Sequence, residues 1–292
     1  MSIVNFTKMQ GSGNDFIVLD GKAFSSVVTA LSAGRHRPSS VVKLCDRKFG
    51  VGADGILLLE RSQKADVRMR IFNADGSEAQ MCGNGARCAA LYLSHQSSVR
   101  GRQPKTKKLK LETKAGMINA EVRGNSVKIN LTDPVDIRLD LTVKISGKNY
   151  EVDFINTGVP HAVVEIKGLD KVPVRELGRL IRHHGLFHPV GTNVDFVNVV
   201  DRDHILVRTY ERGVEDETLA CGTGSVASAI IATLNSRAVI KDRGKDTGHK
   251  VFVKTKGGES LVVYFNILKR KITDVWLEGR AEIVFTGRML LA

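Results

Sequence analysis

The sequence predicts an α+β protein made of two similar domains. The chain contains two segments, around Cys82 and around Cys221, that both read Cys-Gly-x-Gly followed by small and apolar residues suited to a helix. These cysteines lie 139 residues apart (221 − 82), which is close to the length of an ordinary domain. Elsewhere the hydrophobic pattern indicates many short strands and few helices.

The repeat extends beyond the cysteines, which favours a duplication. Asn73 precedes Cys82 by nine residues, as Arg212 precedes Cys221. One Cys-Gly-x-Gly segment alone would more often be only a tight turn before a helix. Its recurrence with matched flanking residues argues for a functional role as well. We expect a first domain over 1–125, joined again by 279–292, and a second over 126–278. The active site is expected in the cleft between them, because ligand sites favour such interfaces.

The elements expected in the first half are mostly strands. A helix should begin at Pro38 and end near Gly50, and another should follow Cys82. Strands are expected at 16–19, 56–59 and 67–72, and over 108–131 with breaks at Gly116 and Gly124.

The second half repeats this plan. Helices are expected over Val174–His184 and after Cys221. Residues 252–258, Phe-Val-Lys-Thr-Lys-Gly-Gly, match 110–116, Lys-Leu-Glu-Thr-Lys-Ala-Gly. Strands are expected at 150–156, 161–166, 194–200, 204–210, 250–254, 260–265, 273–277 and 281–285.

Composition excludes several classes of protein. The 292 residues are 42% apolar and 26% charged, as in soluble globular domains. No apolar run has membrane-spanning length, and residues 1–20 do not read as a signal peptide, so no membrane partner is expected. The spacing of the four cysteines predicts neither a disulfide framework nor a zinc site, and no metal is expected. Free thiols make a reducing cytoplasm the simplest location.

The net charge of +13 raises the question of a nucleic-acid partner. Much of the excess lies in runs at 35–37, 100–110 and 241–250, which read as solvated loops. Aromatic residues make up only 5%, and no aromatic-rich strand of an RNA-binding sheet occurs. We therefore predict no nucleic-acid partner, although the charge can attract an anionic substrate.

The two cysteine segments indicate proton-transfer chemistry. A helix start leaves backbone N–H groups unpaired, and these favour anions. The same setting is expected to lower a thiol pKa and to bind a carboxylate. Two such helix ends facing each other would hold one carboxylate between two thiols. That arrangement suits removal of a proton from one face of a carbon and delivery to the other.

With both motifs in place, the chain closely resembles the diaminopimelate epimerase family. The resemblance rests on segments in family order at 8–16, 72–77, 81–87, 192–196, 210–213 and 217–224. It implies two domains that are each a β-barrel-like sheet around a central helix. It further implies conversion of LL-2,6-diaminopimelate to the meso form by two bases without a cofactor, in lysine and peptidoglycan precursor synthesis. A homodimer is left open.

The resemblance also implies residue roles. Cys82 and Cys221 would be the two bases, assisted by His161 and Glu211. The chain departs from the family pattern at Val159, where an asparagine is common, and at Gly55, where a glutamine is common. The residues implied in substrate binding are Asn14, Asn73, Gly83, Asn84, Asn193, Glu211, Arg212, Gly222 and Thr223.

Other interpretations stay open at this point. Cys45 and Cys88 are expected in the core, and the acidic run 215–217 is expected to be solvated. One rival function is a related PLP-independent racemase for another amino acid, such as histidine or proline. Proline racemase-like chains typically carry histidine at the place of Asn84, which argues against that branch. The second rival is a basic, non-enzymatic binding protein, which would not need both cysteine motifs.

Overall fold

A computed structural model describes residues 2–21, 38–96, 106–236, 247–268 and 271–291. Two compact units divide the chain, one formed by residues 1–129 with 279–292 and the other by residues 130–278. The sequence places the first boundary four residues earlier, at 125. The basic residues at 35–37, 100–105 and 241–246 lie outside the described part of the chain.

The first unit is mostly β-structure around one long helix. Its helices are α1 (Pro38–Cys45) and α2 (Gly83–Gln96). Its described strands are β1 (Ser2–Gly11), β2 (Asn14–Asp20), β3 (Gly55–Glu60), β4 (Val67–Asn73), β5 (Glu78–Ala79), β6 (Lys107–Thr113), β7 (Gly116–Arg123), β8 (Ser126–Asn130) and, from the chain end, β18 (Glu282–Leu291).

The sheet of this unit curves around α2. Paired strands follow the order β18-β1-β2-β3-β4-β6-β7-β8, and the short β5 pairs with β4. The pairs β2–β3 and β4–β6 are parallel, because α1 and α2 carry the chain across between their strands. Helix α2 is buried without a break from Asn84 to Leu91. It contacts every strand of this order from β18 to β7, so it is the central helix.

The second unit has the same plan. Its long helices are α3 (Val174–Arg182) and α4 (Gly222–Asn235), and 3₁₀ turns occupy 169–171 and 185–187. Its strands are β9 (Val135–Ile145), β10 (Lys148–Asn156), β11 (Pro160–Glu165), β12 (Asn193–Val199), β13 (His204–Glu211), β14 (Asp216–Thr218), β15 (Thr247–Lys254), β16 (Ser260–Leu268) and β17 (Lys271–Arg280).

The strand order β9-β10-β11-β12-β13-β15-β16-β17, with β14 beside β13, matches the first unit strand for strand. The parallel pairs recur as β11–β12 and β13–β15. Helix α4 is buried from Gly224 to Ile231 and contacts the strands around it. The α+β class, with a curved sheet around a central helix in each unit, is therefore confirmed.

Each unit also buries apolar residues on the outer face of its sheet. In the first unit α1 contributes Val41 and Leu44 to a cluster with strand residues such as Ile17. In the second, α3 contributes Leu177 and Ile181 to the corresponding cluster. These crossover helices are thus amphipathic, whereas the central helices are buried on every side.

Helix α1 is shorter than the sequence predicts, because Asp46 interrupts it. The Asp46 carboxylate accepts hydrogen bonds from the backbone N–H groups of Lys48 and Phe49, both at 2.7 Å. This side-chain turn replaces the helical pattern after Cys45. The prediction of a helix reaching Gly50 was wrong for that reason.

Two long strands, β1 and β9, are absent from the sequence prediction. β1 pairs with β18, which ties the end of the chain into the first unit. Within the described residues, no helix combines the length and the apolar character needed to cross a membrane.

Candidate active site

Both motif cysteines stand directly before a central helix, one in each unit. The Cys82 Sγ accepts a hydrogen bond from the backbone N–H of Gly85 at 3.5 Å, and the Cys221 Sγ accepts one from Gly224 at 3.4 Å. In each case the cysteine carbonyl accepts the N–H four residues on, at 2.8 and 2.9 Å. The duplication predicted from the motifs thus places two thiols in the same local geometry.

The second glycine of each motif allows the helix to approach the sheet. A Cβ at Gly224 would lie 2.3 Å from Oδ1 of Asp195, and one at Gly85 would lie 2.9 Å from a methyl carbon of Leu57. Asp195 lies on β12 and Leu57 on β3, which are equivalent strands, each the fourth in the order of its sheet. The Cys-Gly-x-Gly spacing is therefore required by close packing as well as by the turn.

In the second unit a chain of polar contacts leads away from Cys221. Its Sγ lies 3.4 Å from the hydroxyl of Thr223, and that hydroxyl lies 3.0 Å from Nε2 of His161. The Nδ1 of His161 lies 2.7 Å from a carboxylate oxygen of Asp195. His161 and Asp195 are both fully buried. Four side chains from three segments, β11, β12 and the start of α4, therefore form one continuous arrangement that ends at the thiol.

Strand register explains why these side chains meet. His161 on β11 stands opposite Asn193 on the parallel strand β12. Asp195 follows Asn193 by two residues, and side chains two apart share one face of a strand. The imidazole therefore lies between the amide of Asn193, 3.5 Å from Nε2, and the carboxylate of Asp195.

Asn193 and Arg212 are joined through the backbone. The buried Asn193 amide donates to the carbonyl of Pro160 at 3.0 Å and accepts the backbone N–H of Arg212 at 2.8 Å. The Arg212 guanidinium donates to the carbonyl of Val190 at 3.3 Å. Among the described residues no ion pair links Arg212 to its neighbour Glu211.

Burial governs the ionisation of two groups in this unit. It raises the pKa of Glu211, with a further upward contribution from the charge of Asp195. It also raises the pKa of Cys221 well above the usual thiol value, and the charges of Glu211 and Asp195 act in the same direction. The hydrogen bonds from Thr223 and Gly224 lower it less. The expectation that the helix start lowers the pKa of this thiol was therefore wrong, because desolvation of the thiolate dominates.

In the first unit, amide side chains are linked to a buried cation. The fully buried Arg87 on α2 donates to the hydroxyl of Ser12 and to the amide oxygen of Asn84, the latter at 2.8 Å. The Asn84 amide nitrogen donates to the amide oxygen of Asn14 at 3.0 Å. The amide nitrogen of Asn14 donates in turn to Asp54 at 2.8 Å. These bonds fix which way both amides point.

A charged cluster supports the far end of that chain. Arg47 donates to both carboxylate oxygens of Asp15, at 2.8 and 3.0 Å, and to Asp54 at 2.7 Å. Lys8 forms an ion pair with Asp15 at 2.8 Å. Burial would raise the pKa of Asp15, but the hydrogen bonds from Arg47 and Lys8 together hold it well below its usual range. The loop before Asn14 is therefore held by ionic contacts.

Asn73 lies at the exposed end of β4, and no contact described for it reaches Cys82. Its amide donates to the hydroxyl of Ser77 at 2.9 Å, within its own turn. The next residue, Ala74, donates to the carbonyl of Asp54 at 3.1 Å, which brings this turn beside the support of Asn14.

Strand register corrects the alignment of the two repeats around Asn73. Ile56 on β3 pairs with Phe72, and Val194 on β12 pairs with Tyr210. These pairs make Asn73 the equivalent of Glu211, rather than of Arg212 as the sequence spacing indicates. The second loop is one residue longer.

Gly55, one of the two departures from the family pattern, has a packing reason. A Cβ there would lie 2.6 Å from the carbonyl oxygen of Phe72 on the neighbouring strand. At the other departure, the carbonyl of Val159 accepts the N–H of Thr157 at 3.1 Å, in a turn where Gly158 has a φ of 105°.

Cys45 and Cys88 are buried, as expected, and none of the four cysteines is in a disulfide. The expectation for the acidic run was wrong for Glu217, which forms a two-pronged ion pair with Arg208. In the described ranges no group of three or more metal-binding side chains is arranged to hold an ion.

Sequence reasoning did not single out Asp195, Arg87 or Asp54. Asp195 and Arg87 lie inside the motif segments, and a charged residue between buried neighbours was the available signal. Asp54 ends a Gly-x-Gly-x-Asp segment directly before Gly55, and the comparison with the family pattern drew attention to Gly55 alone.

The family model described as "Diaminopimelate epimerase" matches residues 6–137 and 154–274. A diaminopimelate epimerase of Aquifex aeolicus is 42% identical over 290 residues, covering 98% of each chain. One of Archaeoglobus fulgidus is 42% identical over 302 residues, covering 99% of this chain and 97% of the relative.

Solved structures share the fold at low identity. A hydroxyproline epimerase from Agrobacterium vitis, with bound trans-4-hydroxy-L-proline, superposes with a TM-score of 0.70 at 18% identity and covers 99% of this chain and 91% of its own. A Bacillus anthracis phenazine biosynthesis protein superposes with a TM-score of 0.72 at 18% identity, with full coverage of both chains. On the family match and the identity of these relatives, the chain belongs to the diaminopimelate epimerase family.

Proposed function

We propose that this protein is an isomerase that interconverts LL-2,6-diaminopimelate and its meso form, using Cys82 and Cys221 as the two proton carriers. The observation that carries the proposal is the recurrence of a cysteine outside any disulfide before the central helix of each unit, with its Sγ accepting the equivalent backbone N–H. Family membership names the substrate.

Inversion at a carbon needs an acid on one face and a base on the other. We assign one face to Cys82 and the other to Cys221. Since burial raises the pKa of Cys221, this thiol rests in its protonated form and needs a base when it is to accept a proton. His161, connected through Thr223, supplies that base. Glu211 contributes a second titratable group beside them.

We propose that the reacting carboxylate binds at the two helix starts. The backbone of Gly83 and Asn84 would serve one end and that of Gly222 and Thr223 the other, since first-turn N–H groups lack helical partners. These fixed dipoles would stabilise the negative charge that develops when the α-proton leaves.

The second, non-reacting end of the substrate carries its own carboxylate and amine. We assign its recognition to Asn14, Asn73, Asn193, Glu211 and Arg212. Arg212 can hold a carboxylate with two parallel hydrogen bonds. The internal bonds of Asn14 and Asn193 leave each amide only part of its capacity, so backbone groups must share this task.

The proposed reaction uses no cofactor and no metal, since both proton carriers are side chains of the chain. Its partner is a small molecule; we propose neither a nucleic-acid nor a membrane partner, and a homodimer remains open. The need for two free thiols favours the cytoplasm.

The contacts of Asn84 argue against the rival function, a racemase of the proline racemase type. The Asn84 amide is held between Arg87 and Asn14, so an amide fits the surroundings here better than the histidine of proline racemase-like chains. A non-enzymatic binding protein would not require the contacts that lead from Cys221 to His161.

The direct experiment incubates the purified protein with LL-diaminopimelate in D₂O under a reductant. We expect meso product and one deuterium at the inverted α-carbon. Lysine, histidine and proline are the comparison substrates. If one of them is racemised and diaminopimelate is not turned over, the related racemase replaces the proposal.

A further inference from the structure

We propose that Asp195 is a positioning residue for proton transfer at Cys221, because its carboxylate holds His161 in the tautomer whose Nε2 can accept a proton by way of Thr223. This inference deepens the proposed epimerase function and rests on it. Asp195 lies two side chains away from the thiol, so it acts only through His161.

The contacts determine the tautomer. A carboxylate only accepts hydrogen bonds, so Nδ1 of His161, 2.7 Å from Oδ2 of Asp195, must carry the hydrogen. Nε2 of the neutral ring is then an acceptor. Two donors face it, the hydroxyl of Thr223 at 3.0 Å and the amide nitrogen of Asn193 at 3.5 Å. The Asp195 carboxylate, which only accepts, and the Asn193 amide nitrogen, which only donates, therefore agree on one tautomer, and the Thr223 hydroxyl can donate to it.

This arrangement provides a continuous hydrogen-bonded route for a proton from Cys221 to His161. The thiol of Cys221 donates its proton to the oxygen of Thr223, 3.4 Å away, while the hydroxyl proton of Thr223 passes to Nε2 of His161. The products are a thiolate and an imidazolium, and the reverse step restores the thiol. The charge gained by the ring lies against the Asp195 carboxylate. Among the described residues, Glu211 also acts electrostatically on His161 and Cys221.

The carboxylate itself is held rigidly. Its Oδ1 accepts the hydroxyl of Thr209 on β13 at 2.7 Å. Gly224 packs so closely on the same oxygen that a Cβ there would lie 2.3 Å away. Asp195 is fully buried. A fixed second partner is what keeps an imidazole in one orientation.

The first unit shows that the fold does not require these polar groups. By strand register, His161 corresponds to Phe16, Asp195 to Leu57 and Thr209 to Ile71. All three equivalents are buried and apolar. Gly85 meets Leu57 as Gly224 meets Asp195. The same position thus accepts leucine, so a buried carboxylate at Asp195 calls for a chemical reason.

The first test reads the tautomer directly and needs no substrate. We expect ¹⁵N-histidine NMR of the full chain, with His161 assigned by His161→Gln, to show hydrogen on Nδ1. In Asp195→Asn, which keeps size and shape, we expect a mixed or reversed tautomer. Hydrogen on Nε2 of the wild-type protein would overturn the proposal.

The second test measures the thiol. Alkylation by iodoacetamide is followed for each cysteine by peptide mass spectrometry across pH. Asp195→Asn should slow Cys221 by about tenfold or more and leave Cys82 unchanged, since the thiolate is the reactive form and the imidazolium that forms with it loses its carboxylate partner. This loss must exceed the direct effect of removing the Asp195 charge, which alone would lower the pKa of Cys221. Thr223→Val should do the same, and Thr223→Ser should restore the rate. Equal rates for Cys221 in the wild type and Asp195→Asn would contradict the proposal.

The third test is the reaction. Asp195→Asn should lower kcat/KM for LL-diaminopimelate by about 100-fold, the scale of general acid–base assistance. The matched control is Asp153→Asn, another buried aspartate, bonded to Asn235 and to the N–H of Asp140 rather than to His161. It should stay within about twofold of wild type. A folded Asp195→Asn enzyme of wild-type activity would overturn the proposal.

These readouts separate the two proposals. If the wild type does not turn over diaminopimelate, the proposed function fails, while the tautomer and the alkylation ratio still decide the role of Asp195. If Asp195→Asn does not fold, the wild-type tautomer and the Thr223→Val and Thr223→Ser pair decide it.

Discussion

Arg208 and Glu217 form a two-pronged ion pair, with Nε–Oε1 at 2.6 Å and Nη2–Oε2 at 2.8 Å, that joins β13 to the short strand before Cys221. Arg70 and Glu78 repeat it in the first unit, at 2.8 and 3.3 Å. Each glutamate stands four residues before its cysteine. The duplication therefore includes the ionic support of the segment that carries each thiol.

We predict strong coupling between Arg208 and Glu217. Their side chains are only 13% and 19% exposed, so loss of one leaves the other charge poorly solvated. A double-mutant cycle with Arg208→Met and Glu217→Gln, followed by urea unfolding, should give a coupling free energy of about 1 to 3 kcal/mol. The control pair Arg175–Asp216, which is 69% and 41% exposed, should give less than about 1 kcal/mol. Additive effects at Arg208 and Glu217 would contradict this assignment.

The two motif glycines should respond differently to alanine. At Gly224 the new Cβ meets the fixed carboxylate of Asp195 at 2.3 Å, whereas at Gly85 it meets the end of the Leu57 side chain at 2.9 Å, which can move. We expect Gly224→Ala to lower the free energy of unfolding by about 1 to 3 kcal/mol, and more than Gly85→Ala does. Thermal and urea unfolding of the two variants measures this, and the reverse order would contradict the packing described.

The fold was largely predictable from local patterns, because most strands and both central helices have clear boundaries. β9 was missed although Val135 to Ile145 alternates apolar and polar residues throughout. Of its six apolar side chains only Val143 and Ile145 are buried, and the segment has no continuous apolar run such as the one in β3. β1 pairs with β18 from the far end of the chain, a contact that no local pattern contains.

The site residues that belong to a sequence motif were predictable, whereas those brought together by the register of paired strands were not. Cys82 and Cys221 were identified because the Cys-Gly-x-Gly motif recurs. Asp195 becomes important only because β11 and β12 align His161 with Asn193, which the sequence does not specify. The ionisation of Cys221 also depends on burial, and that outweighs the helix start.

Glu211 should destabilise the protein at neutral pH. Burial raises its pKa, so the folded state loses stability as pH rises from the unfolded value of about 4 through the raised folded value. Glu211→Gln removes this titration. We expect the melting temperature of the variant to gain on wild type as pH increases from 4 to 8, while kcat falls. A difference independent of pH, or one that shrinks with rising pH, would contradict the burial of this carboxyl group.

Arg212 should contribute to specificity by binding the second carboxylate of the substrate. Arg212→Met should reduce kcat/KM for LL-diaminopimelate more than Arg212→Lys, since lysine keeps the charge but loses the paired donors. Lysine and histidine should scarcely react, because groups placed for the distal end would be left unpaired. Steady-state assays with the three substrates test this. Equal losses in both variants would remove Arg212 from substrate recognition.

The two-thiol mechanism is tested most directly by Cys82→Ala and Cys221→Ala, assayed with LL-diaminopimelate in D₂O by chiral chromatography and mass spectrometry. Each variant should form no meso product, because each face of the α-carbon loses its own acid or base. Cys45→Ala and Cys88→Ala are the controls and should keep activity, because both thiols are buried in the core and neither stands directly before a central helix. Substantial meso formation by either Cys82→Ala or Cys221→Ala would contradict the mechanism.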